Sequence, residues 1–171
     1  MPYARPLRDR HGKRCGSLVT FRDITEQFGK EREAKRLSMY DPLTGVANLR
    51  LFKQQLQQGI ARAERSQRTL GLLFVDLDRF RAVNDSLGHD VGDALLKRTA
   101  TRLQQLLRQG DLLARWGDDK FVVTVENLRG PRDAVAAAQK IIRGMAQRFT
   151  CEDNEIYISA SVGIALYPEA G

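Results

Sequence analysis

Cysteine is scarce here. Cys15 and Cys151 are the two in 171 residues, and they stand far apart with no metal-type spacing. With no leader-like segment ahead of them, they are expected as reduced thiols in a cytoplasmic setting. No apolar run approaches the roughly 18 residues that span a bilayer. This stretch is therefore expected to make no direct membrane contact, and any tether would lie outside it. Aromatic residues are only 7% of the chain, do not interleave with the basic ones, and form no RNP-type or zinc-finger pattern. That argues against a nucleic-acid partner despite a net charge of +7. The charge is also uneven: residues 1–40 hold ten Lys and Arg against five Asp and Glu.

What is present suffices for one sizeable core, at 42% hydrophobic content. Residues 1–25 read as the end of something. Asp9-Arg10-His11-Gly12-Lys13 is a turn signal, and Gly16-Ser17-Leu18-Val19-Thr20-Phe21 is an apolar-rich strand. One strand pair is not stable by itself, so partner strands or docking are expected. Gly16 to Glu26 resembles the last strand and exit of a PAS sensor domain; the alternative is a hairpin that pads the next domain. Residues 26–40 turn helical and charged. Their apolar positions are thin for a coiled-coil seam, which leaves a solvated connector beside a signalling helix that pairs across a homodimer.

Asp41-Pro42-Leu43-Thr44-Gly45 marks a break. Asn48 then caps a helix with Leu51, Phe52, Leu56, Ile60 and Ala63 at helical spacing. Leu70 to Val75 is a continuous apolar run, predicting a strand covered on both faces. Residues 90–107 predict a second helix, with Leu95, Leu96, Ala100, Leu103 and Leu107 on one face. A hairpin follows over 112–126. Pro131 opens a third helix whose expected buried stripe is Val135, Ala138, Ile141, Ile142, Met145 and Phe149. Residues 157–166 form the last predicted strand. Strand, helix, hairpin, helix, strand fits an α+β fold of the ferredoxin-like, split βαβ type, a central antiparallel sheet flanked by helices.

Asp76 and Asp78 stand at the exit of the buried strand, where carboxylates can hold a hard cation; by themselves such pairs more often form turns or caps. Asp119 on the hairpin tip adds a third carboxylate to the same sheet. Gly117-Asp118-Asp119-Lys120-Phe121 resembles the signature hairpin of the GGDEF family, the diguanylate cyclases, with two of five letters changed. Asp41 to Gly45 is similar to that family's opening motif. Asp76 to Asp85, followed by Gly88-His89-Asp90-Val91-Gly92-Asp93, resembles its nucleotide-binding stretch, and Ser161 to Ala165 its late strand. The resemblance covers residues 41–171 in order and implies a nucleotidyl cyclase-type fold.

It implies roles as well. Asp76, the Leu77 carbonyl and Asp119 would coordinate Mg²⁺, with Asp119 in the catalytic position. Asn84 and Asp93 would read a guanine edge; the plainer alternative for both is turn formation and helix capping. Backbone N–H groups at Arg79, Phe80 and Arg81, with Gly117 opposite, would hold phosphates. Gly88 would supply a turn. Intact relatives join two GTP molecules into cyclic di-GMP, each 3′-hydroxyl attacking the partner's α-phosphorus as pyrophosphate leaves. Arg108-Gln109-Gly110-Asp111 matches the family's inhibitory cyclic di-GMP site, RxxD; a helix-terminal salt bridge is the alternative.

Two departures oppose turnover. Lys120 replaces a Glu, and a cation about 4 Å from Mg²⁺ meets a gross repulsion of roughly 8 kcal/mol at an effective dielectric near 20, less if the lysine swings into water. Asp118 replaces the second Gly, at a cost on the order of 1 kcal/mol if φ must be positive, and sets a negative charge near phosphates. The family domain usually continues into a further helix and strand, and the chain stops at Gly171, so the GGDEF-like domain is expected to be C-terminally truncated. The expected organisation is a PAS-like end (1–25), a connector helix (26–40) and that domain (41–171), with an output domain beyond. The expected function is a degenerate, regulatory nucleotide-binding module in cyclic di-GMP signalling. The alternatives are a weakly active cyclase and a ligand-free dimerisation scaffold.

Overall fold

Asn48 caps helix α1 (Leu49–Ser66) as its position predicts, its Oδ1 accepting the Leu51 N–H at 3.0 Å. The computed structural model describes residues 3–8, 10–20, 38–151 and 154–168. Residues 21–37, which hold the end of the PAS-like stretch and most of the expected connector, lie outside the described residues. The chain divides into two units, residues 1–36 and 37–171. In the first, β1 (Tyr3–Arg8) and β2 (Arg14–Thr20) pair antiparallel around the predicted turn.

The second unit continues from α1 with β3 (Thr69–Leu77), α2 (Phe80–Leu87), α3 (His89–Leu106), β4 (Leu112–Arg115), β5 (Lys120–Leu128), α4 (Pro131–Met145), β6 (Phe149–Cys151), β7 (Asn154–Ile156) and β8 (Ala160–Tyr167). Four strands form one antiparallel sheet in the order β4-β5-β3-β8, and β6 pairs with β7. The two central strands are the first and third of the βαββαβ series, which is the predicted split arrangement. Helices α3 and α4 cover one face: Leu95, Ala100 and Leu103 of α3 and Ala138, Ile141 and Met145 of α4 bury Leu73, Val75, Phe121 and Val123. On the other face Phe52 of α1 packs on Ala47, Ala114 and Val122. Fully burying a side chain of this size is worth about 1.5–3 kcal/mol.

Three expectations are corrected. β3 is buried on one face; on the other α1 reaches only part way, so Leu72 is half-buried and Phe74 is 37% exposed, edge-on to Trp116. The buried stripe of α4 runs through Ala134, Ala138, Ile141 and Met145, while Val135 and Ile142 are exposed. Each lies one residue, about 100°, round the helix from a buried position, and Phe149 packs from β6. The last strand begins at Ala160, not 157, and Tyr157 is exposed. Helix α2 was not anticipated: it begins at Phe80, inside the stretch Arg79 to Arg81 read as a phosphate turn, and runs on to Leu87. No helix among the described residues is long and apolar enough to cross a membrane.

Candidate functional site at the hairpin tip and the α2–α3 cleft

The antiparallel register sets Lys120, the first residue of β5, directly opposite Asp76 of β3. Directly opposed residues share a sheet face with Cβ atoms about 5 Å apart, within easy reach of a lysine. Its Nζ lies 3.0 Å from Asp76 Oδ2 and 2.9 Å from Asp119 Oδ1. The lysine does not swing away from them; the ammonium bridges both of the carboxylates assigned to Mg²⁺. Hydrogen bonds first to Asp119 and then to Asp76 hold Lys120 above the usual lysine range. Mg²⁺ demands a near-octahedral shell of oxygens at about 2.0–2.1 Å. No group of three or more His, Cys, Asp or Glu converges as a metal set among the described residues, and Asp76 and Asp119 both face an ammonium. Arranged this way, these residues do not fit Mg²⁺. Leu77, whose carbonyl completed the expected ligand set, is buried, and its N–H donates to the Asp119 carbonyl at 3.3 Å.

The tip itself is braced from behind. Arg115, ending β4, donates through Nε to the Gly117 carbonyl at 3.0 Å and through a guanidinium N–H to the Asp118 carbonyl at 2.8 Å. Its other terminal nitrogen meets Asp41 Oδ1 at 3.3 Å. Asp41 Oδ1 also accepts the Thr44 N–H at 2.8 Å and hydroxyl at 2.6 Å. Burial pushes the Asp41 carboxyl up, but the two Thr44 bonds and the Arg115 charge outweigh it, and the net shift is downward. Neither Gly117 nor Asp118 has positive φ, so the backbone cost anticipated for Asp118 does not arise. This brace was missed: an Asp with Thr three residues on can signal a local turn, but nothing in the sequence couples positions 41 and 115.

Beside the tip, α2 and α3 enclose a cleft of about 450 Å³ lined by Phe80, Arg81, Asn84, His89, Asp93, Leu96, Arg115, Asp118 and Asp119. It brings together five of the residues singled out for nucleotide contact or catalysis. Asn84 Oδ1 is buried there with no hydrogen-bond partner among the described residues. The amide fits because residue 92 is glycine: a Cβ on Gly92 would collide with Asn84 Oδ1. Gly88, at φ +87°, makes the turn between α2 and α3. Arg79 takes the left-handed conformation (φ 60°, ψ 24°) at the start of α2, which costs an L-residue about 1–2 kcal/mol and swings the chain from β3 into the helix. Its side chain borders a different groove, of about 650 Å³, with Asp78, Val83 and Tyr157. Asp78 does not join Asp76: it accepts the hydroxyls of Ser159 at 2.5 Å and Ser161 at 2.7 Å. Those two bonds hold its carboxyl below the usual range.

Arg108 and Asp111 lie apart from this cleft, at the turn between α3 and β4. Asp111 Oδ2 accepts the Arg108 backbone N–H at 3.0 Å, so the carboxylate closes the turn, and the salt bridge offered as the plain alternative is replaced by this bond. The two border a cavity of about 250 Å³ with Lys140 and Arg143 of α4.

The sequence model described as "Diguanylate cyclase, GGDEF domain" matches residues 38–171. The bifunctional diguanylate cyclase/cyclic di-GMP phosphodiesterase MucR of Pseudomonas aeruginosa is 43% identical over 140 residues, 82% of this chain and 20% of that protein. The solved GGDEF domain of TpbB, also from Pseudomonas aeruginosa, superposes with a TM-score of 0.73 at 38% identity, over 76% of each chain. A sensory box/GGDEF family protein of Caulobacter crescentus gives 0.72 at 37% identity, over 78% of this chain and 86% of that one. The chain spans about a fifth of the length of the first curated relatives it matches.

Proposed function

This chain belongs to the diguanylate cyclase GGDEF family, and from that premise we propose that it is a degenerate member, a regulatory module of cyclic di-GMP signalling that holds a guanine nucleotide without condensing it. One observation carries the reading: the buried, unpartnered Oδ1 of Asn84 in a cleft that also presents Asp93. A buried acceptor left unpaired costs about 1–3 kcal/mol; once the Asn84 amide turns from Gly92 toward the cleft, a guanine edge offers N–H donors for it and for the Asp93 carboxylate together. Backbone N–H groups where Arg79 turns the chain into α2 would hold phosphates. Turnover needs more. Cyclic di-GMP forms when a 3′-hydroxyl attacks an α-phosphorus and pyrophosphate departs, and charge must be neutralised on the attacking and leaving oxygens. Asp76 and Asp119, the groups the resemblance gives to Mg²⁺ for that purpose, are engaged by Lys120, and Asp118 adds another negative charge beside them.

A second ligand site is supported at Arg108 and Asp111, where Lys140 and Arg143 bring further positive charge to the same cavity; cyclic di-GMP, a guanine dinucleotide with two phosphates, matches that lining. A relative named as a sensory box/GGDEF family protein supports reading residues 1–25 as a sensor's end, with residues 26–40 as the connector and 41–171 as the GGDEF domain; a homodimeric parent protein is part of the same proposal.

Calorimetry with GTP and with cyclic di-GMP, beside a product assay on wild type and on Lys120→Glu/Asp118→Gly, tests the reading. Heat with GTP and no product from wild type are expected. Brisk product from wild type would make it an active cyclase, and no heat with either ligand at millimolar concentration a scaffold.

A further inference from the structure

We propose that the Lys120 ammonium is the resident cation of this site, standing between Asp76 and Asp119 in place of a divalent ion, so that the cleft takes its guanine nucleotide without metal. The second half rests on the nucleotide-binding reading; the first stands on the β3–β5 pairing and the hairpin tip alone. The β3–β5 register fixes Lys120 opposite Asp76, and the tip carries Asp119 to the other side of the same nitrogen, at 2.9 Å against 3.0 Å for Asp76. An ammonium has three donors. Two are spent on these carboxylates, and the third remains for an anionic oxygen of a ligand in the adjoining cleft, which Asp119 itself lines.

The charge balance points the same way. Two carboxylates and one ammonium leave a single net negative charge. A glutamate at position 120 would leave three, and binding one divalent cation would return the total to one. Lysine thus gives the locus the net charge that a carboxylate reaches only with a metal, and a tethered cation cannot be diluted or chelated away. It differs in what it can do next. An ammonium offers no octahedral shell and cannot bridge the attacking and leaving oxygens of a displacement, so it neutralises a bound phosphate without promoting its transfer.

Electron paramagnetic resonance of Mn²⁺ added to the nucleotide-free chain tests the first half. Wild type is expected to leave the free-ion signal unchanged, and Lys120→Glu to remove about one equivalent. Lys120→Gln, neutral and of similar reach, falls between them. Equal retention by wild type and Lys120→Glu, whether both bind or neither does, overturns the proposal. Fluorescence titration with N-methylanthraniloyl-GTP tests the second half. Wild-type affinity is expected to agree within about twofold between EDTA and excess Mg²⁺, whereas Lys120→Glu should bind at least about tenfold more weakly in EDTA. A tenfold loss in EDTA for wild type also overturns it. Absence of nucleotide binding under both conditions sinks the second half together with the reading beneath it, while the Mn²⁺ result still decides what the lysine does.

Discussion

At residue 92 a single methyl group is enough to evict the amide that the cleft is built around. The Cβ of an alanine there would strike Asn84 Oδ1, approach Asn84 Cγ to 3.0 Å and lie 3.4 Å from Phe80 Cζ. The ring contact is ordinary packing, so the conflict falls on Asn84, whose side chain must rotate out. Gly92→Ala is accordingly expected to weaken GTP binding about tenfold, the loss of roughly one good hydrogen bond. Helix propensity favours alanine by about 1 kcal/mol, so the change in stability should be small. The pathway is checked by a double-substitution cycle read by calorimetry: in an Asn84→Ala background, Gly92→Ala should cost no further affinity. An additive second loss would mean that glycine 92 acts through something other than Asn84. Much of this was legible, because Asn84, Gly92 and Asp93 all lie in the stretch that resembles the family's nucleotide motif. What the sequence could not convey is that the glycine makes room for the asparagine, since that depends on how α2 crosses α3.

The hairpin is the element on which the tip chemistry depends, and Arg115 is its fastener. The guanidinium joins two tip carbonyls to Asp41, in surroundings where both side chains are mostly buried. Removing it leaves the Asp41 carboxylate with Thr44 alone and the tip carbonyls without a shared donor. Arg115→Ala is expected to destabilise the domain by about 2 kcal/mol, in the range for charged hydrogen bonds, and to speed amide exchange at residues 116–120. Arg115→Lys should recover little, because a point charge cannot supply the fork. Denaturant unfolding and hydrogen exchange read both effects; unchanged exchange at the tip would refute the brace. Elements with strong local signals were readable: the Asn48 cap, Pro131 at the head of α4, and the apolar run of β3. The α4 face was misjudged because Val135 and Ile142 are apolar yet sit one step round from the buried line. Helix α2, only eight residues long, carries too little periodicity to be separated from a turn.

Across the whole domain, the order of elements determined the sheet, and the sheet register then determined which charges meet. Lys120 faces Asp76 only because β5 runs antiparallel to β3 in that register, and Asp78 meets Ser159 and Ser161 only because β8 lies on the other side of β3. These pairings tie distant segments together, as the Arg115–Asp41 contact does, and two of the carboxylates so engaged, Asp41 and Asp78, are held below their ordinary range. Both bind protons less readily folded than unfolded, where an aspartate titrates near about 3.9. The unfolded chain therefore takes up protons first as pH falls. The stability these groups supply is complete above about pH 5 and is lost as pH drops through their native values. The background is already basic, at +7 near neutrality, so protonation also increases self-repulsion. Scanning calorimetry from pH 7 to pH 3 should show the midpoint falling mainly below about pH 4.5. Ser159→Ala/Ser161→Ala removes the bonds that depress Asp78, and should lower the midpoint at neutral pH while flattening the acid limb. A double variant whose acid limb parallels that of wild type would show that Asp78 takes no part in the linkage, and would leave Asp41 and general charge repulsion as its source.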